Sequence, residues 1–111
     1  MEGGPYVALK AEEIGDWDAF HTVCQRALGF PNGYGRTMTA WIELMSSLRS
    51  GDGQVGVQLP PGEMLELEVV GVRLLRERVP DLVEALVDAT AVVNRRFIED
   101  GEAPTIALIF S

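Results

Sequence analysis

The feature that most narrows the fold is the order in which apolar spacing changes along the chain. Residues 6–9 form a short apolar run, two segments of helical spacing follow, and alternation by two appears around residues 55–69. Helical spacing then returns as far as Phe97, and residues 105–110 are almost wholly apolar. Strands separated by helical segments are joined by crossovers rather than tight turns, so they run parallel. The expected class is α/β, a small, mostly parallel sheet of three strands packed with about four helices.

Local signals place the elements. Asp16 is an N-cap, and Trp17, Phe20, His21, Cys24 and Leu28 recur on one helical face that closes at Gly29, with Pro31 beyond. His21 and Cys24 lie within that stripe and are expected in the core, the histidine with a satisfied ring nitrogen, because no acid or second histidine stands at partner spacing. Asn32, Gly33, Tyr34 and Gly35 make a tight turn, and Thr37 caps the next helix. In that helix Met38, Trp41, Ile42, Leu44, Met45 and Leu48 are apolar, which leaves Thr39, Glu43 and Ser46 or Ser47 as a narrow outward stripe.

Val55, Val57 and Leu59 alternate just before Pro60-Pro61-Gly62, which predicts a further hairpin strand around residues 54–70. Leu65, Leu67 and Val69 alternate with Glu66 and Glu68, a pattern expected of a strand with one wet face, away from the sheet centre. A short charged helix is expected over residues 72–78. Pro80 then opens a longer one, with Leu82, Val83, Leu86, Thr90, Val93 and Phe97 inward and Asp81, Glu84, Arg95 and Arg96 matching its dipole. The final apolar run is expected to be covered on both sides or shielded by neighbours.

A chain of 111 residues, 47% hydrophobic, has material for one core, so residues 1–111 are expected to form a single domain. No apolar run is long enough to span a bilayer, and the opening MEGGPYVALK lacks a basic start and apolar core, so the expected location is the cytoplasm. One cysteine and one histidine fall short of a structural zinc set, and no cofactor is expected. The net charge of −8 repels nucleic acid and anionic lipid, and draws in a protein partner with a basic surface.

Catalytic signatures are missing from the sequence. There is no nucleophile with a base, no HExxH or CxxC, and the glycines of residues 33–35 lack the lysine and hydroxyl that complete a phosphate loop. The neighbouring acids Glu12 and Glu13, and Glu99 and Asp100, read as solvated surface charge.

From Ala19-Phe20-His21-Thr22, through Leu28-Gly29-Phe30-Pro31-Asn32-Gly33-Tyr34-Gly35-Arg36-Thr37-Met38, to Thr39-Ala40-Trp41-Ile42-Glu43-Leu44-Met45, the chain resembles the first two helices of the barstar family of intracellular ribonuclease inhibitors. Ile106-Ala107-Leu108-Ile109-Phe110-Ser111 is similar to that family's last strand. The element order agrees over nearly the whole chain, and residue-level likeness is concentrated between Asp16 and Leu48 and at the C-terminus.

The resemblance implies a barstar-like fold and a role as an immunity or antitoxin protein, monomeric when free, whose partner is a basic ribonuclease or nuclease toxin domain. Inhibition in that family is contact without bond chemistry: the second helix and the loop before it enter the nuclease cleft, and carboxylates replace substrate phosphate. It places Asn32, Gly33, Tyr34, Gly35, Arg36, Thr37, Met38, Thr39, Glu43, Ser46 and Ser47 at the partner surface, a rigid acidic plug. Departures from the pattern are specific. The family's main aspartate falls on Thr39, one of its paired tyrosines on Gly33, and an acidic loop position on Arg36. Glu43 keeps an acid, one methylene longer. The match in the last helix falls near Arg95 and Arg96, so the family's glutamate there is not carried over. The stretch from residue 49 to residue 62 is longer than the family's connection. These departures leave two alternatives open: a barstar-fold adaptor for a partner that is not a nuclease, and a small-molecule site at the strand ends near Lys10 and Gly71.

Overall fold

The computed structural model describes residues 5–111. Residues 1–4, part of the opening stretch read above as lacking a leader, lie outside the described residues. The element order is β1 (Tyr6–Lys10), a 3-10 turn (Ala11–Glu13), α1 (Trp17–Leu28), α2 (Met38–Met45), β2 (Leu65–Val70), α3 (Val72–Arg78), α4 (Pro80–Glu99) and β3 (Ile106–Phe110). The α/β class, the three-stranded sheet and the four α-helices follow the expectation, and both strand pairings are parallel.

The helix boundaries follow local chemistry. Asp16 Oδ1 accepts the Ala19 N–H at 2.8 Å, and α1 closes where Gly29 turns left-handed at φ 71°. Thr37 Oγ1 accepts the Ala40 N–H at 3.1 Å to cap α2. Pro80 opens α4, where its missing N–H costs nothing. The inward stripes meet over one core that includes Phe20, Cys24, Leu28, Trp41, Met45, Leu82, Leu86 and Val93. Trp41 and Phe20 are its largest fully buried side chains.

Two expectations about the sheet are corrected. The strand order is β1-β2-β3, so β2 is the central strand and not a peripheral one. Its alternation is real: Leu65, Leu67 and Val69 are buried and Glu66 and Val70 exposed. The wet side belongs to the whole sheet, whose outer face also carries exposed Tyr6, Lys10 and Ile109. The apolar β3 is accordingly an edge strand, with Ile109 exposed rather than covered on both sides. Tyr6 Oη donates to Glu68 Oε1 at 2.6 Å across that face.

The expected hairpin strand is also corrected: residues 50–60 form no strand. Val55 and Leu59 are buried, as alternation suggested, yet their segment packs against helix ends instead of joining the sheet. The Gly56 N–H donates to the Gly29 carbonyl at 2.9 Å, and that of Leu59 to the Leu48 carbonyl at 2.8 Å. At Gly29 a side chain would meet the Gly56 backbone at 2.7 Å, so two backbones touch where only glycine fits.

Arg49 secures this loop. Its Nη1 donates to the Ala103 carbonyl at 2.6 Å, and its Nη2 to the carbonyls of Glu63 at 2.7 Å and Pro104 at 3.1 Å. The side chain is 6% exposed, and its guanidinium lies 5.4 Å from the Phe97 ring centroid. The desolvation cost of burying this cation is offset because three carbonyls from two chain segments accept from it.

Candidate functional site

The segment expected at the partner surface begins as a loop whose shape is set from inside. The Tyr34 N–H donates to the Pro31 carbonyl at 3.0 Å, and Gln25 Nε2 reaches that same carbonyl at 3.0 Å. Tyr34 was expected on the surface; the structure buries it to 6% exposure. Its ring packs 4.8 Å from that of Phe30 and 5.5 Å from that of His21, and its Oη lies 2.6 Å from His21 Nδ1. Its place inside is fixed by that aromatic packing and by the hydrogen bond to the buried His21 ring. His21 is buried and satisfied, as the sequence suggested, and stacks on Trp17. Burial pushes its pKa below the ordinary value, the Arg36 cation adds to this, and Asp18 opposes it. Burial likewise raises the Tyr34 phenol and pushes the Cys24 thiol up to about 12. These groups therefore stay neutral near pH 7.

Arg36 holds the other end of the loop. It is the one non-glycine residue at positive φ among the described residues, at 57°. Its Nη2 lies 2.8 Å from the Asp18 carbonyl, 2.8 Å from Asp18 Oδ1 and 2.9 Å from Thr22 Oγ1. Contacts to α1 thus compensate for a backbone conformation that costs a bulky residue about 1–2 kcal/mol.

Asn32, Gly33, Gly35 and Thr37 are exposed, and Met38 is half-buried. On α2, Thr39, Glu43 and Ser46 follow the spacing of a single helical face, with Thr39 and Glu43 exposed and Ser46 half-buried. The helix ends at Met45, and the hydroxyls of Ser46 and Ser47 turn back to donate to the carbonyls of Ile42 and Leu44, each at 2.7 Å. Those serines contribute a satisfied surface, not free donors.

Sequence reasoning missed the partner of Glu43. Arg96 on α4 places Nη1 3.2 Å from Glu43 Oε2 and 3.2 Å from Ser46 Oγ. The sequence marked Arg96 as a helix-dipole charge; its place next to Phe97 on the core stripe was the one signal that it borders α2. The expectation of an acidic plug is thereby corrected. Glu43 is the single carboxylate of residues 32–47 and Arg36 their single cation, and each is ion-paired to a residue outside the segment, Arg36 to Asp18 and Glu43 to Arg96.

Among the described residues no group of three or more His, Cys, Asp or Glu could hold a metal ion. The crevice at the strand ends is a groove of about 270 Å³ lined by Lys10, Glu12, Val70, Gly71 and Leu74. It combines one cation and one acid with apolar walls and brings together no nucleophile and base. No helix of the described residues is long and apolar enough to cross a membrane.

A search of curated proteins finds no match to the chain. The family model described as Barstar (barnase inhibitor) matches residues 5–109. That match spans both ion-paired helices, the pinned loop and all of the sheet but its last residue, and the chain belongs to the barstar (barnase inhibitor) family.

Proposed function

We propose that this chain binds a ribonuclease and blocks its active site with the outward side of residues 32–47. The observation that carries this reading is the exposed face of Thr39 and Glu43 on a capped helix, entered by a loop pinned at Tyr34 and Arg36. A face fixed before contact loses little conformational freedom on docking, which favours tight association. The protein acts as an inhibitor and not an enzyme, by filling the cleft that RNA would occupy, and it needs no metal or cofactor. The net charge of −8 supplies long-range attraction to a basic nuclease, while the local face supplies the fit. We take residues 1–111 to act as one domain, monomeric when free, in the cytoplasm.

The test is RNA cleavage by barnase and by ribonuclease toxins of the same genome, titrated with the purified chain. Loss of cleavage at one-to-one stoichiometry is expected for at least one of them, with Glu43→Ala weakening it. Full cleavage by every nuclease at large excess of the chain would overturn the reading.

The pairing of Glu43 with Arg96 favours a second reading, an adaptor whose protein partner does not bind phosphate. It predicts a stable complex with undiminished nuclease activity.

A further inference from the structure

Resting on the inhibitory reading, the charges of this face specify what it meets. The two charged residues of the loop and α2, Arg36 and Glu43, are each ion-paired, to Asp18 and to Arg96, and Asp100 adds a further acid beside Arg96. The two pairs differ. Arg36 is held by three contacts of 2.8 to 2.9 Å and serves the loop. Arg96 touches Glu43 and Ser46 at 3.2 Å each, and its side chain is 45% exposed opposite a glutamate that is 64% exposed. Those contacts exceed the about 2.7–2.9 Å of a tight charge-assisted bond, and an exposed pair of this kind is readily exchanged. Arg96 also borders a small hollow of about 140 Å³ with Ser46, Phe97 and Asp100, large enough for a partner side chain to enter beside it.

A cleft lined only by cations attracts Glu43 and repels Arg96 in the same approach, and the repulsion grows as water leaves. We infer that the partner presents a carboxylate to Arg96 beside the cationic group that receives Glu43, so docking exchanges one internal ion pair for two intermolecular ones. Arg96 is then a specificity-determining residue: it rewards a cleft of mixed charge and rejects a wholly cationic one.

Barnase serves as the probe, a ribonuclease whose cleft grips an anionic backbone. Its binding to the wild-type chain, Arg96→Gln and Arg96→Glu is measured by calorimetry at low and moderate salt, with the melting temperature of each variant confirming the fold. Arg96→Glu is expected to bind about tenfold tighter than the wild type, with Arg96→Gln between them and the gain shrinking as salt rises. Equal or weaker binding by Arg96→Glu would overturn the inference. So would failure of all three to bind, since the cation at position 96 would then not be what separates this face from a cationic cleft. Should the wild type inhibit another ribonuclease while Arg96→Glu inhibits it equally, this inference falls and the proposed function stands.

Discussion

Tyr34 Oη and His21 Nδ1 lie 2.6 Å apart inside the protein, so a loop residue and a helix residue share one buried hydrogen bond. The bond turns the loop before α2 into an extension of α1. A side chain read from sequence as a contact residue is instead buried and ties the loop to α1.

Tyr34→Phe keeps the ring packing and removes the hydroxyl, leaving the histidine nitrogen buried without a partner. The expected loss is about 1–3 kcal/mol of stability, read from denaturant unfolding. An unchanged midpoint would mean that this bond is not formed in solution.

The lowered pKa of His21 has a defined sign. Its neutral form is favoured in the fold, so its contribution is fully present above the unfolded value of about 6.5 and is lost as pH falls through the lower folded value. Stability should therefore decline on acidification just below about pH 6.5, before carboxylates with ordinary values near 4 titrate. His21→Gln should flatten that part of the pH profile. Unfolding midpoints of both proteins across pH 5 to 7 check it, and parallel profiles would contradict it.

The helix ends were legible because caps are local. Asp16, Gly29, Thr37 and Pro80 each act within one turn, and each stands where the sequence placed it. The position of β2 was not legible, because alternation records which side of a strand is wet and says nothing about how many neighbours it has. Val55, Val57 and Leu59 misled for a related reason: inward packing of an extended loop gives the same spacing as a strand. On the site, the outward stripe of Thr39 and Glu43 followed from helical spacing. Arg96 did not, since it comes to Glu43 across 53 residues and no local pattern records such a meeting.

Glu43 and Trp41 divide binding from stability. Glu43→Ala removes an exposed acid and should change stability by less than about 0.5 kcal/mol while weakening the complex. Trp41→Ala empties a fully buried site and should cost about 3–5 kcal/mol. Melting temperature and affinity measured for both variants decide the matter, and an exchange of the two losses would show the faces to be reversed.

Arg49→Met should be the most damaging charged-residue substitution, because it leaves the carbonyls of Glu63, Ala103 and Pro104 without their donor. A loss of about 3 kcal/mol or more is expected. Arg49→Lys should recover part of it, as an ammonium cannot reproduce the planar fork. Equal stability of the Met variant and the wild type would remove the guanidinium from any structural role.

The same guanidinium joins residues 14, 54 and 55 positions away from it in the chain. Segments so joined cannot fray one at a time, because releasing any of them strands a buried cation. The long loop after α2 therefore belongs to the most slowly opening part of the molecule, despite its glycines and prolines. Amide exchange at Leu59 should keep pace with that at Leu65 in the central strand, both limited by whole-molecule unfolding.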